Sequence, residues 1–177
     1  MRGRRLPVPD LPGLRPSGDR GRETLFNWLA PYVRGANCAD LFAGTGVLGI
    51  EAASRGAQSV VLVEKSAQAA GAIRQNLASL TASHENLSIE LVKGDALQWL
   101  ESCGQQSLDI VFVDPPFDSG LESRALAVLA DGDCMAEGGL VYLETARKAG
   151  DFEPGPGWET VKEKILGDVR MRLLKKV

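Results

Sequence analysis

The 177-residue chain is 44% hydrophobic and 24% charged, the make-up of one globular domain that buries its own core. No apolar run approaches the ~18 residues of a membrane span. A formal net charge of −3 hides an asymmetry: residues 1–22 hold six Arg against two Asp, residues 162–177 six Lys/Arg against two acids, and the stretch between is strongly acidic.

Basic flanks on an acidic body point to a polyanionic partner. The N-terminus follows its positive charge with no apolar stretch, so no secretory signal is read. Cys38, Cys103 and Cys134 are odd in number and far apart, which suggests a reducing compartment and no structural zinc. The one histidine, His84, lies in the polar run Ser83–Asn86, which argues against a His-based triad or a multi-histidine metal site.

Residues 1–18, with four Pro and three Gly, read as an extended basic arm, leaving 19–177 as the folded domain. Asp19 is placed to cap a helix running to about Val33, because Leu25, Phe26, Trp28, Leu29 and Tyr32 recur at helical spacing; Pro31 sits awkwardly near its end. Then strands and helices alternate. Strands are expected at Cys38–Phe42, Ser59–Glu64, Leu87–Val92, Leu108–Val113 and Gly139–Glu144, and helices at Val47–Ser54, Ala67–Leu80, Ala96–Ser102 and Leu121–Ala130. Trp158–Leu166 and Val169–Lys175 have no helix between them and read as an antiparallel hairpin turning at Gly167-Asp168. The pattern predicts an α/β sheet of about seven strands, mostly parallel, covered by helices on both faces and ending in the hairpin.

Four strand ends carry chemistry. Asp40-Leu-Phe-Ala-Gly44-Thr-Gly46-Val-Leu-Gly49 contains G-x-G-x-x-G between a strand and a helix, a pattern shared by sites for NAD, FAD and S-adenosylmethionine. Asp40 separates them: a carboxylate there repels a pyrophosphate at the helix N-terminus but suits an ammonium or sulfonium. Glu64 ends the second strand, where a carboxylate can accept both ribose hydroxyls of an adenosine. Asp95, after the third strand, can accept from an adenine amino group while the Ala96 amide donates to the ring; it can equally cap the next helix.

Asp114-Pro115-Pro116-Phe117 is the sharpest signal. Two prolines fix φ and remove two donors, leaving carbonyls as acceptors. An acid before them and an aromatic after them suit an exocyclic amino group on a flat base. Its N–H groups donate to the Asp114 carboxylate and the Pro115 carbonyl, and Phe117 packs against the ring.

At these motifs the chain resembles the Rossmann-like, S-adenosylmethionine-dependent amino methyltransferases, whose signature is [D/N/S]-P-P-[F/Y/W]. Leu14–Leu29, Asp40–Ala52, Phe112–Phe117 with Gly120-Leu121, and Gly139–Glu144 further resemble the RsmD-type bacterial 16S ribosomal RNA guanine-N2 methyltransferases. Gly18 and Gly21 depart from the family pattern and weaken the start of the first helix. The resemblance implies methyl transfer from S-adenosylmethionine to guanine N2 in the small ribosomal subunit, in the cytoplasm and without metal; the chain's size suggests a monomer. It implies Asp114, Pro115 and Phe117 as catalytic residues. It also implies a cofactor site of Asp40, Phe42, Ala43, Gly44, Thr45, Gly46, Glu64, Asp95, Ala96 and Asp114. Arg2, Arg4, Arg5 and Arg15, with Lys175 and Lys176, are the implied contacts to RNA phosphates, which add affinity and salt dependence. Arg20, Arg22 and Asn27 fall in the resembling first-helix segment, with ion pairing to Glu23 as the plainer role for the arginines.

Rival readings share parts of this pattern. Adenine-N6 and protein glutamine-N5 methyl transfer use the same acceptor geometry. A nicotinamide oxidoreductase shares the glycine turn but not Asp40 or the terminal hairpin. An RNA-binding assembly module needs the basic flanks but not Asp114–Phe117.

Overall fold

The structure is a computed structural model and describes residues 16–81, 88–105, 108–149 and 152–177. His84 and Arg2, Arg4, Arg5 and Arg15 lie outside the described residues. Twelve elements follow in chain order: α1 (Pro16–Leu29), β1 (Asn37–Asp40), α2 (Val47–Ser54), β2 (Ser59–Glu64), α3 (Ala67–Thr81), β3 (Ile89–Lys93), α4 (Ala96–Ser102), β4 (Leu108–Val113), α5 (Leu121–Asp131), β5 (Met135–Ala146), β6 (Trp158–Leu166) and β7 (Val169–Lys176).

The strands form one seven-stranded sheet in the order β3-β2-β1-β4-β5-β7-β6. Pairs from β3 through β5 are parallel, and β7 runs antiparallel to both β5 and β6. Parallel strands buried on both faces need continuous apolar runs, and Leu108–Val113, nearly all buried, is one. The alternation of side chains divides the core in two. Leu25, Phe26, Ile73, Phe112 and Tyr142 belong to the layer under α1, α2 and α3; Leu97, Leu126, Val111 and Val141 belong to the layer under α4 and α5. All three cysteines are buried free thiols.

Helix α1 begins three residues before the expected cap at Asp19, so residues 16–18, assigned to the arm, are helical. Proline fits a first helical turn, whose N–H groups lack partners in any case. The helix stops at Leu29, not Val33: Pro31 has no N–H to continue the ladder, and the chain goes on as a turn in which the Val33 amide donates to Leu29 O at 2.9 Å. Strand β1 closes at Asp40, two residues early, and β5 is twelve residues long, reaching back to Met135 because Leu108 pairs with it across a register shift.

Gly49 explains how α2 lies so close to the sheet. A Cβ there would stand 2.1 Å from Leu62 Cδ2. Any side chain would have to displace the Leu62 side chain or move the helix off β2.

Candidate active site

Beyond the carboxyl ends of β1, β2, β3 and β4 opens a cleft of about 740 Å³. The chain runs outward from β1 to β3 on one side and from β4 to β5 on the other, so the cleft lies where the strand order reverses. Open parallel sheets place ligands at such a point. Asp40, Phe42, Ala43, Gly44, Thr45, Glu64, Asp95, Ala96, Asp114, Pro115 and Phe117 all line it.

Asp40 is 1% exposed. Its Oδ2 accepts from the Gly49 amide at 3.3 Å, while Oδ1 is buried without a hydrogen-bond partner. Burial pushes its pKa up to about 7; the Gly49 amide and the more loosely placed Phe42 amide pull against that, and Glu64 adds to it. A buried carboxylate oxygen without a donor is costly. A ligand that brings a cationic N–H group removes that cost.

The three glycines have separate tasks. Gly44 (φ +57) has open space where a Cβ would be, its nearest neighbour being Phe42 O at 3.9 Å, so its backbone is bare to the cleft. Gly46 does not line the cleft: it takes a left-handed conformation (φ +79) at the start of α2 and faces Ile50 and Ile73 at 3.4 Å. Gly49 provides the close approach of helix to strand.

Glu64 clips this loop to β2. Its Oε2 accepts from the Gly44 amide at 2.7 Å and its Oε1 from the Ser66 amide at 2.7 Å. Each oxygen retains a lone pair for a ligand hydroxyl. Asp95 does cap α4: Oδ1 accepts from the Leu97 and Gln98 amides at 3.0 and 3.2 Å. The Gln98 amide foremost, then the Leu97 amide and Lys65, hold its pKa below the usual carboxylate range. Lys65 Nζ stands 3.5 Å from Oδ2, so an adenine amino group would have to share that oxygen.

Across the cleft, Pro115 is buried and Phe117 is 49% exposed. Asp118 (φ 61) and Gly120 (φ 68) turn the chain sharply after it. Asp114 has no hydrogen-bond or ion-pair partner among the described residues. Burial, then Glu144, then Asp40 push its pKa up to about 8.

Three features escaped the sequence reading. Glu144 is the first. Val113 pairs with Leu143, so the next pair along the strands sets Asp114 beside Glu144. Tyr142 Oη donates to Glu144 Oε2 at 2.7 Å, and burial raises the Glu144 pKa. An acid closing the apolar run Leu140–Leu143 was the available signal. Lys65 and Arg124, which also line the cleft, are the other two.

One expectation needs correction. Arg22 pairs with Asp19 at 3.0 Å, not with Glu23; Arg20 and Asn27 are exposed on α1. Lys175 and Lys176 lie at the end of the sheet away from the cleft: because β7 is antiparallel, Lys175 pairs with Leu140 near the start of β5, and Lys176 Nζ donates to Gly132 O at 2.9 Å.

The order of the sheet, the bare glycine turn, the orphan oxygen of Asp40 and the Asp-Pro-Pro-Phe loop together define a Rossmann-like, S-adenosylmethionine-dependent methyltransferase. The chain belongs to the RsmD family, whose model, described as conserved hypothetical protein 95, matches residues 1–175. It is 42% identical over 175 residues to ribosomal RNA small subunit methyltransferase D of Escherichia coli (strain K12), covering 99% of this chain and 86% of that protein. The protein of the same name from Haemophilus influenzae is 40% identical, with 97% and 88% covered. Among solved structures, yhhF from Escherichia coli, described as a candidate methyltransferase, superposes with a TM-score of 0.81 at 39% identity, covering 99% of this chain and 93% of that one.

Proposed function

We propose that this protein methylates the exocyclic N2 of a specific guanine in the 16S ribosomal RNA of the small subunit. The observation that carries the reading is the Asp114–Phe117 loop: a carboxylate without a hydrogen-bond partner among the described residues, a buried proline and a half-exposed aromatic ring, facing Asp40 and Glu64 across one cleft. The relatives named for small-subunit ribosomal RNA methylation support RNA as the substrate class.

When bound, S-adenosylmethionine supplies a methyl group on a sulfonium, a good leaving group. Asp40 would hold the ammonium of its methionine end, the turn from Phe42 to Gly46 would bear on its backbone, and Glu64 would accept the ribose hydroxyls. Ala96 and Asp95 would border the adenine. The target guanine must leave its stack, at a cost of a few kcal/mol, and Phe117 offers its ring a packing surface. Its N2 lone pair is delocalised into the ring and attacks poorly. Asp114 and the Pro115 carbonyl accept the two N2 hydrogens. That fixes the direction of the lone pair, favours a more tetrahedral nitrogen and stabilises the positive charge that develops. Asp114, with a pKa of about 8, is basic enough to take the proton released as the new bond forms. The arm with Arg2, Arg4, Arg5 and Arg15 would supply phosphate contacts.

Glu64→Ala is expected to weaken cofactor binding about tenfold or more by calorimetry. It removes both the ribose acceptor and the clip on the Gly44 amide, whereas kcat at saturating cofactor should change less. Unchanged affinity removes Glu64 from the site.

Tritiated methyl transfer to unmarked small subunits, naked 16S RNA and duplex DNA tests the whole reading. Label recovered as N2-methylguanine from subunit or RNA is the expected result. Label as N6-methyladenine, or none in any nucleic acid with cofactor binding intact, overturns it and points to the adenine or protein-glutamine alternatives.

A further inference from the structure

We propose that Glu144 accepts the N1–H of the target guanine and is the residue that separates guanine from adenine at this site. The assignment rests on the guanine-N2 reading above. A guanine bound through N2 presents two hydrogens on that nitrogen and a third on N1 immediately beside it. Asp114 and the Pro115 carbonyl use up the first two. Where the seated base covers its own N1–H, that donor costs free energy unless it finds an acceptor. The acceptor must stand next to Asp114, on the same side of the sheet.

The sheet puts Glu144 in that place. Phe112 pairs with Tyr142 and Val113 with Leu143, so the tips of β4 and β5 bring Asp114 and Glu144 side by side on the face that carries Phe112 and Tyr142. Tyr142 Oη holds Glu144 Oε2 at 2.7 Å, which orients the carboxyl group and leaves Oε1 without a bond among the described residues. Neither Asp114 nor Glu144 has a cationic partner among the described residues. Burial, then the neighbouring Glu144, raises the Asp114 pKa, and burial raises that of Glu144 against the Tyr142 hydrogen bond. The N1–H and N2–H₂ edge of guanine brings three donors to two such groups. Adenine brings an amino group too, but its N1 is an acceptor and would face the Glu144 oxygen lone pair to lone pair.

The test uses small subunits reconstituted with either guanine or 2-aminopurine at the nucleotide that takes the label from the unaltered enzyme. 2-Aminopurine keeps the N2 amino group but has an acceptor at N1. The unaltered enzyme should methylate guanine about tenfold or more faster, the discrimination a good base contact gives. Glu144→Gln can turn its amide N–H toward an N1 acceptor, so the guanine to 2-aminopurine ratio of kcat/KM should fall at least about tenfold. Cofactor affinity should stay within about twofold.

A purely structural role would lower both rates together and leave the ratio unchanged, and that result overturns the proposal. Equal rates on the two bases with the unaltered enzyme overturn it as well, without recourse to any variant. If the unaltered enzyme yields no N2-methylguanine, the guanine reading fails first and this assignment falls with it.

Discussion

Replacing Asp114 with Ala is expected to lower methyl-transfer turnover by about 10²–10³-fold, the usual loss when one preorganised partner of a developing charge is removed. Cofactor affinity should change no more than a few-fold, because Asp40 and Glu64 lie on other strands. The size follows from the setting: Asp114 is held near the Glu144 carboxyl group and, among the described residues, has no bond to give up before it accepts from the substrate. Asp114→Asn keeps one acceptor oxygen and should lose less. The protonated acid cannot accept from N2 through both oxygens, so single-turnover rates of the unaltered enzyme should rise with pH through about 8. Asp114→Asn should flatten that rise. Full turnover in Asp114→Ala, measured at saturating subunit, would remove the residue from the reaction.

Asp40→Asn should produce a more stable protein that binds its cofactor poorly. The folded pKa of Asp40, about 7, lies above the ordinary carboxylate value of 3.8. The native state therefore holds the proton more tightly than the unfolded chain, and stability falls as pH rises from about 4 to about 7. The slope is up to roughly 1.4 kcal/mol per pH unit for such a group. Asp114 acts in the same direction up to about pH 8. An amide at position 40 removes its share of that slope while keeping an acceptor for the Gly49 amide. Thermal melts of the cofactor-free protein should show Asp40→Asn unfolding about 3 °C or more above the parent at pH 8, and much nearer to it at pH 4. Affinity for S-adenosylmethionine should drop at least about tenfold, since the ammonium loses its counter-charge. A variant that melts lower at pH 8 yet binds normally would place the charge of Asp40 outside cofactor recognition.

The sequence exposes this site unevenly, and the reason is geometric. Asp40, Glu64, Asp95 and Asp114 each close a strand and face a cleft that any open parallel sheet creates, so position along the chain was sufficient to find them. The ends of α2, β2, α4, β4 and β6 were legible as well, each bounded by glycine, proline or a short polar turn. Glu144 was not, because its proximity to Asp114 exists only through the pairing of β4 with β5. Nor does charge counted along the chain say where it falls on the sheet: the antiparallel β7 carries Lys175 and Lys176 to the end away from the cleft. The early half of β5 was hidden by Glu137 and Gly138, which fall where the pairing with β4 shifts register, Gly138 taking a left-handed conformation (φ 73).

One property of the sheet bears on how the molecule is made. The strand that comes last in sequence, β7, is not at the edge; it lies between β5 and β6 and pairs with β5 at seven positions, from Leu140 to Ala146. While a nascent chain is still short of Val169, β5 has an open edge of unpaired backbone along Leu140–Leu143, a surface that invites association with other chains. The strand bearing Glu144 is thus held by β4 on one side as soon as both are made, and its other edge stays open until β7 follows.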